Sequence, residues 1–339
     1  MTNDLSSSQR AEETSLPRQG AKGARAHIGR EVRDHLRRIF VLIFSFFMGR
    51  VWLYTFIGFL NRFVFRRAIR NVFLLYAADE RYLRKYVYRW YARNFQWSPR
   101  VVGVLRQNGR WGLYFGIGAT EDALEGDVGG NLSIMVERME RIRTLVGAEQ
   151  KTFAGIIPGL LKAKDILKDP VEQEITATAV HRAIEQIKQI EEMPEDTALI
   201  VIGGMGFIGR RVVENMRNDG FQGPIHSVDL KKSENFEQVV RTLKGRPTIL
   251  LNVSRRGALT RYIPCLWPEA VVLNEVYPEP DRSEVVAIRE KGARCYHISG
   301  VAAWAWPSFP KGYKGGIPCC ASFLPAEGEG EYRVLVTKM

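Results

Sequence analysis

The sequence predicts an α/β fold in which a doubly wound parallel sheet follows a smaller α/β domain and an N-terminal helical segment. Three observations support this prediction. The chain has 339 residues, enough for two domains with separate cores. From residue 101 onward, short apolar runs alternate with amphipathic helical patterns. A glycine-rich turn at residues 204–209 follows one of these runs and opens a helix.

Short apolar runs in the second half of the chain are typical of buried strands. Most of them are separated by a helical pattern, which favours a parallel sheet with helices on both faces. We expect residues 197–339 to form this sheet domain. Its predicted strands are Ala198–Ile202, Ile225–Val228, Thr248–Val253, Ala270–Asn274 and Ala293–Ile298.

Residues 101–196 are predicted to form the smaller α/β domain, which would bind the substrate. Two stretches in it read as strands and two as helices of amphipathic period. The strands are RWGLYFGIG and KTFAGIIPGLL, and the helices are NLSIMVERMERIRTLVG and VEQEITATAVHRAIEQIKQIEE.

The net charge of +12 belongs to the N-terminal part of the chain. Residues 1–100 hold 19 Lys and Arg against 7 Asp and Glu, so the remainder is neutral. No folded module shows a basic face or a recognition motif, and we therefore expect no nucleic-acid partner. Residues 1–28 have hardly a large apolar side chain and are predicted to be a disordered tail.

Residues 29–100 are predicted to be a basic, aromatic helical segment that associates with a membrane lipid surface. Residues 39–65 are apolar apart from Arg50 and flanking basic positions, and their length suits a bilayer span. Both flanks are basic, so a span would carry one of them across the membrane. We therefore favour a monotopic helix over a single pass, at the cytoplasmic face. The alternative is a helical hairpin packed on the body.

The glycine turn has the spacing of a dinucleotide-binding site. Gly204 is expected to permit the tight turn, Gly206 to let a pyrophosphate approach, and Gly209 to allow close helix–strand packing. Met205, Phe207 and Ile208 complete the turn, and the helix N-terminus would offer free N–H groups to phosphate. The alternatives are a domain that binds another nucleotide or none.

Asp229 follows the second predicted strand, 20 residues after Gly209. An acid at this position accepts hydrogen bonds from the adenosine ribose, which slightly favours NAD. Lys231 and Lys232 come next and could hold a 2′-phosphate, so NADP stays an alternative.

The stretch TILLNVSRRGALTRYIPCLWPEAVVLNEVYPEP resembles the later half of the dinucleotide domain in the shikimate dehydrogenase-like group. Long-chain acyl-[acyl-carrier-protein] reductase has a similar arrangement. The resemblance implies a Rossmann domain that follows a substrate domain. It also implies that Asn252, Val253 and Ser254 lie beside the nicotinamide ribose, with Tyr277 near the same pocket.

Two side chains are predicted to be catalytic proton donors. Lys162 follows an Ile-Pro element like the one that precedes the lysine of shikimate dehydrogenases, although its spacing is longer. His297 ends a late strand, at the sheet edge where ligands bind. The alternatives are a surface lysine and a structural histidine.

The four cysteines have no spacing suited to zinc, and the histidines are scattered, so no metal site is expected. Cys319 and Cys320 follow a glycine-rich loop and could form a thioester if their pKa were lowered; buried, inert thiols are the alternative.

The function hypothesis is a membrane-associated NAD(P)-dependent oxidoreductase acting on a hydrophobic or membrane-delivered carbonyl, acyl or imine substrate. The alternative is a non-catalytic NAD(P)-binding subunit of a membrane complex. Assembly into a homo-oligomer is left open.

Overall fold

The computed structural model describes residues 19–229, 236–313, 315–326 and 330–339. The predicted tail lies outside the described residues up to position 18. Two β-sheets with helices packed on their faces organise the rest. The elements of the first half are α1 (Gln19–Met48), α2 (Val51–Phe63), β1 (Ile69–Ala77), α3 (Glu80–Tyr86), α4 (Arg89–Asn94), β2 (Arg100–Gln107), β3 (Arg110–Thr120), α5 (Glu121–Glu125), α6 (Asn131–Val146), β4 (Gln150–Phe153), α7 (Ile157–Ala163) and α8 (Glu172–Ile190).

The second half contains the predicted alternation of strands and helices. Its elements are β5 (Ala198–Ile202), α9 (Phe207–Asn218), β6 (Ile225–Val228), α10 (Phe236–Leu243), β7 (Thr248–Asn252), β8 (Ala270–Asn274), α11 (Arg282–Glu290), β9 (Arg294–Ala302), β10 (Trp304–Trp306), β11 (Gly316–Ile317) and β12 (Val334–Lys338).

The second sheet is doubly wound. Its strand order is β11-β9-β8-β7-β5-β6, with β12 added beside β9, and β5 to β9 are mutually parallel. Side chains alternate along β5, so Leu199 packs with α8 and α9 while Ile200 packs with α10 and α11. Helices therefore cover both faces, as the sequence predicts.

The first sheet has the order β10-β2-β3-β1-β4. Strand β1 is parallel to both β3 and β4, and its Val72, Phe73 and Leu74 are fully buried. The prediction of a helical segment over residues 29–100 was thus wrong for residues 69–77. A continuous apolar run is typical of a parallel strand that is covered on both faces.

Two further expectations differ from the structure. Residues 19–28, predicted to be disordered, begin α1, because Ala, Arg, Lys and Gln are good helix formers. The predicted strand over 151–161 ends at Phe153, and Pro158 instead sits in the first turn of α7. Strand β10 pairs with β2, so a piece of the last third of the chain completes the first sheet.

Helices α1 and α2 form a bent hairpin beside the first sheet. Among the described residues no single helix is long and apolar enough to cross a membrane. The pair Asp34–Phe47 and Val51–Phe63, bent by 77°, passes that test together by length and composition.

One face of α2 is fixed to the body by close packing and hydrogen bonds. A Cβ on Gly58 would lie 1.8 Å from the carbonyl oxygen of Leu145, so only glycine allows this approach to α6. Asn61 is fully buried. Its Nδ2 donates to the carbonyls of Val146 and Gly147, at 3.1 and 3.0 Å, and its Oδ1 accepts from the N–H of Ile69 at 2.9 Å.

We expect Asn61→Ala to lower the free energy of unfolding by about 2–4 kcal/mol, because it removes the partner of one buried and two partly buried backbone groups. Urea unfolding of the full chain measures this change. Asn94→Ala, at an exposed position on α4, serves as the control and should stay within about 0.5 kcal/mol of the parent. An equal effect of the two substitutions would contradict the anchoring role of Asn61.

Candidate functional site

The candidate site lies at the carboxyl edge of the second sheet. Strand order reverses between β5 and β7, since the chain passes from β5 to β6 on one side and then to β7 on the other. In open α/β sheets this switch point leaves a crevice that binds ligands. The loops that follow β5 and β7 meet there, and the N–H of Val253 donates to the carbonyl of Ile202 at 3.1 Å.

The glycine turn fills this switch point, with one difference from the sequence prediction. The left-handed residue of the tight turn is Gly203, with φ of +86°, and not Gly204. Gly204 is instead needed for close approach to β6, because a Cβ there would lie 2.6 Å from Ser227. At Gly209 a Cβ would lie 2.1 Å from the carbonyl oxygen of Gly203, which agrees with the predicted helix–strand packing.

Gly206 caps α9 with extended backbone and without a capping side chain. The first-turn N–H groups of a helix have no partner within the helix, so this end is suited to an anion. Phe207 and Ile208, in this turn, line the same cavity as Gly206. Met205 is 45% exposed, and its N–H donates to Oδ2 of Asp229 at 2.8 Å. Asp229, the acid predicted to contact the ribose, is therefore held against the glycine turn.

A cavity of about 780 Å³ opens in front of the turn and is lined by residues of both sheets. Its volume is typical of a small-molecule site. Most of its wall is apolar or aromatic, with contributions from β1, β2, β3 and the segments after β7 and β8. Lining residues include Phe73, Leu75, Val102, Tyr114, Val253 and Ile298.

Tyrosines form a connected group in this wall. The hydroxyls of Tyr82 and Tyr277 are 2.9 Å apart, and Tyr86 donates to Tyr82 at 3.4 Å. The ring of Tyr277 stacks on Tyr313, with centroids 4.9 Å apart. Phe309 contacts Tyr313 in turn, at 5.8 Å between centroids. Tyr277, which the sequence analysis placed near the nicotinamide pocket, therefore contacts Tyr82 from the first half of the chain and Tyr313 from the second half.

Two of the carboxyl groups that line the cavity, those of Glu275 and Glu172, form no ion pair among the described residues. Glu275 directly follows β8 and lines the cavity, where desolvation raises its pKa to about 8. Glu172 begins α8, is 1% exposed, and has its pKa raised by burial to about 7. Its Oε1 accepts from the N–H of Phe153 at 2.6 Å, whereas Oε2 has no hydrogen-bond partner among the described residues. Both groups can therefore carry a proton near neutral pH.

Cys319 and Cys320 also line the cavity. Burial raises the pKa of Cys320 to about 12, and that of Cys319 well above the ordinary thiol range. Because the thiolate is the nucleophile, this environment disfavours the thioester chemistry considered from the sequence. No group of His, Cys, Asp or Glu among the described residues is arranged to hold a metal ion.

The edge formed by β7, β8 and β9 is held by buried polar side chains. Asn252 donates from Nδ2 to Oδ1 of Asn274 at 2.7 Å, and its own Oδ1 accepts from the N–H of Ser254 at 3.3 Å. His297 is 2% exposed, with Nδ1 3.1 Å from Nδ2 of Asn274 and 3.0 Å from its carbonyl oxygen. Ser254 lines the cavity, whereas Asn252 and His297 are not among its lining residues.

Lys162 lies on the exposed side of α7. Its Nζ is 5.9 Å from the centre of the Phe207 ring and 3.5 Å from Oε1 of Gln173, outside the lining of the cavity. Its catalytic role stays a prediction, and the same holds for His297. The place of Lys162 beside the start of α9 suits contact with a phosphate group.

Sequence reasoning missed Glu275, Glu172 and the tyrosines of α3. Glu275 had a usable signal, because an acid directly after a parallel strand lies at the ligand-binding edge. No sequence signal pointed to Glu172, because acidic residues are common in the first turn of a helix. Tyr82 and Tyr86 fall in the segment that was predicted to associate with a membrane, whereas the hydroxyl of Tyr82 lies beside that of Tyr277 and Tyr86 donates to Tyr82.

No protein-family model and no curated protein matches this sequence. Solved structures do show similarity. A shikimate dehydrogenase in complex with NADP+ shares 11% identity over 68% of this chain and 85% of that chain, with a TM-score of 0.39. A bifunctional 5,10-methylenetetrahydrofolate dehydrogenase/cyclohydrolase from Thermoplasma acidophilum shares 11% identity over 68% and 83%, with a TM-score of 0.34. An L-tryptophan dehydrogenase from Nostoc punctiforme shares 10% over 67% and 69%, with a TM-score of 0.32. The shikimate dehydrogenases named from the sequence are thus represented among them.

Proposed function

We propose that this protein is an NAD(P)-dependent oxidoreductase that acts on a carbonyl, acyl or imine group of a hydrophobic substrate. One observation carries the proposal. The glycine turn with its acid, Asp229, opens into the same largely apolar cavity as the carboxyl groups of Glu172 and Glu275, which form no ion pair among the described residues. Cofactor, substrate body and proton donor would thus share one enclosed space.

The residues of the turn fit a dinucleotide. A Cβ on Gly206 would lie 3.0 Å from the carbonyl oxygen of Gly203, a tight contact with backbone, so glycine suits this position of the turn. The start of α9 would bind the pyrophosphate, and Asp229 would accept hydrogen bonds from the adenosine ribose. This acid slightly favours NAD. Lys231 and Lys232, on which the NADP alternative rests, lie outside the described residues.

Bound NAD(P)H would supply a hydride to the substrate carbon. Glu275 is our candidate for the accompanying proton, because burial keeps its carboxyl protonated near neutral pH. Ser254 and Tyr277 shape the cavity between the turn and this carboxyl. The apolar wall excludes water, which strengthens electrostatic interactions with a polarised C=O or C=N group.

The N-terminal hairpin would dock the protein on the cytoplasmic face of a membrane. We define the hairpin surface as eight apolar side chains of α1 and α2, each more than half exposed. They are Ile43, Phe46, Phe47, Val51, Trp52, Phe56, Phe59 and Phe63. Soluble proteins rarely expose such contiguous apolar patches. Exposed Arg50, Arg66 and Arg67 lie along this surface and complement anionic headgroups.

Titration of the full chain with NADH and NADPH, followed by nicotinamide fluorescence, tests the cofactor assignment. The full chain is needed because β1 is a central strand of the first sheet. We expect saturable binding that Gly206→Trp abolishes by filling the pyrophosphate space. Gly129→Trp, at an exposed loop glycine outside the cavity, is the matched control and should bind normally.

Absence of saturable binding by the folded parent would refute the proposal. Tight binding without turnover on any carbonyl or imine substrate would instead favour the non-catalytic NAD(P)-binding subunit.

A further inference from the structure

Strand β10 carries two tryptophans that stay about half exposed at the edge of the first sheet. Trp304 is 53% exposed and Trp306 is 47% exposed. Because they are two positions apart in a strand, their indole rings lie on the same face of the sheet. Strand β10 is the last strand of this sheet on the side of β2. Proteins usually shield an apolar edge strand or use it for contact with a partner.

The strand register extends this surface across the sheet. Trp304 lies opposite Arg106 of β2, which in turn lies opposite Trp111 of β3. Residues that lie opposite one another in neighbouring strands share a face, so the three side chains form one row. The guanidinium of Arg106 lies 5.3 Å from the centre of the Trp111 ring, and the rings of Trp111 and Trp304 are 6.1 Å apart. We call Trp304, Trp306, Trp111 and Arg106 the tryptophan patch.

The tryptophan patch lies beside the N-terminal hairpin. The ring of Trp306 contacts those of Phe40 and Phe44 on α1, with centroids 4.9 and 6.0 Å apart. Leu113 of β3 lies in the same row as Trp306 and packs in the same core as Tyr54 of α2. The hairpin and the patch therefore cover one face of the first sheet, side by side.

The charge of this face suits an anionic surface. Helix α2 and strands β2, β3 and β10 contain no acidic residue, and Arg106 within the patch is exposed. The N–H of Trp111 donates to the carbonyl of Ala68 at 2.8 Å, directly after the exposed Arg66 and Arg67. Indole rings with arginines suit the boundary between lipid headgroups and acyl chains, where one part of the ring is dry and its N–H is hydrated.

The chain itself joins the patch to the cavity. Residues 307–310 follow β10 directly and line the cavity, and α1 adds Arg37 and Val41 to the same lining. Val41 is buried, whereas Phe46 and Phe47 of the hairpin surface are exposed on the same helix. A bilayer that covers the hairpin and the patch would therefore lie next to this side of the cavity.

We propose that Trp304, Trp306 and Trp111 insert into the interfacial region of an anionic bilayer, beside the hairpin surface. This inference rests on the membrane docking in the proposed function and adds a strand to the contact. Contacts from two packed elements define which face of the protein meets the membrane. That face is the one where residues 307–310 lead into the cavity.

Binding of the full chain to vesicles of phosphatidylcholine and phosphatidylserine tests this assignment. Trp304→Ala should lower the affinity roughly five- to ten-fold, because the indole loses its apolar burial in the bilayer. Trp304→Phe should keep most of the affinity, since an aromatic ring remains. Val286→Ala, 45% exposed on α11 beside the other sheet, is the matched control and should bind within about two-fold of the parent.

Quenching by brominated phosphatidylcholine reports whether the rings themselves touch lipid. The parent is compared, at saturating vesicles, with a variant that combines Trp304→Phe and Trp111→Phe, in which the aromatic packing is kept. The quenched fraction of the tryptophan emission should fall in the variant, because two of the quenched rings are gone. It would rise if these rings lay outside the lipid, since only unquenched emission would then be removed.

Two outcomes would overturn the inference while the hairpin still docks: a Trp304→Ala variant that binds like the parent, or a quenched fraction that rises. The second would assign the tryptophan patch to a protein partner or to water. If the parent bound no vesicles, the proposed docking would be refuted together with this inference. The NADH titration is independent of both and would still decide the cofactor assignment.

Discussion

Thermal unfolding of the full chain is expected to move to lower temperature as the pH rises from about 5 to about 8.5. The reason is the burial of Glu275 and Glu172, which raises their pKa to about 8 and about 7. The cost of ionising Glu275 alone is up to about 5 kcal/mol. A loss of this size corresponds to a decrease in Tm of roughly 5–10 °C.

The direction follows from proton binding in the two states. Both carboxyls have an ordinary pKa of 4.5, which applies to the unfolded chain. Between pH 4.5 and the folded pKa, the folded protein holds protons that the unfolded chain has released. This contribution to stability is therefore complete below pH 4.5 and is lost as the pH rises through about 7 and 8.

Glu140 acts outside this window, whereas burial also raises the pKa of Glu121. Hydrogen bonds from Arg143 lower the pKa of Glu140 to about 2, so its stabilising contribution is present above pH 4.5 and lost in acid. Differential scanning calorimetry between pH 5 and 8.5 therefore leaves out Glu140, and substitution assigns the slope among the carboxyls whose pKa is raised. Glu275→Gln should flatten the slope, because an amide does not ionise, whereas Glu290→Gln, at an exposed position on α11, should keep it. A Glu275→Gln profile parallel to the parent would show that the buried carboxyl is not the cause.

The doubly wound sheet could be predicted from sequence because each parallel strand is a short apolar run. The bounds of β5, β6 and β8 match the prediction, and β7 differs by one residue. Backbone chemistry explains this success. Strands buried on both faces must be apolar throughout. Glycine marks the turn between β5 and α9, because it adopts the backbone conformation that a tight turn needs.

The first sheet could not be predicted in full because it is assembled from distant segments. Strand β1 reads as apolar and aromatic, which is equally compatible with a membrane helix over a short stretch. Its assignment depends on pairing with β3 and β4, and β10 reaches β2 from some 200 positions away. Such long-range pairings leave no local signal.

The glycine turn and Asp229 were predicted from spacing, whereas the carboxyl groups of the cavity were not. Asp229 and Ser254 were found because a strand end places them at the sheet edge. His297 had the same signal, yet its ring points into hydrogen bonds with Asn274 and not into the cavity lining. The end of a strand places a residue at the edge of the sheet. The alternation of side chains along the strand then decides which face of the sheet the side chain occupies.

Binding to anionic vesicles is the second large effect that we expect, and it depends on the hairpin surface. The full chain should sediment with vesicles of phosphatidylcholine and phosphatidylserine. Phe56→Glu with Phe59→Glu should lower this binding at least ten-fold, because each ring loses apolar burial and each carboxylate is repelled by the headgroups. Both positions are more than half exposed, so the fold should tolerate the change. Val128→Glu, 99% exposed outside the hairpin, is the matched control.

Charge and apolar burial can be separated in the same experiment. Arg66→Gln with Arg67→Gln should weaken binding to the mixed vesicles by roughly 1 kcal/mol per residue and change little on pure phosphatidylcholine. The Phe variants should lose binding to both. Because Tyr54, Gly58 and Asn61 fix the opposite face of α2 to the body, this helix can present its rings to a bilayer without leaving the fold. If the Phe variants bound as well as the parent, the exposed rings would have to serve a protein partner instead.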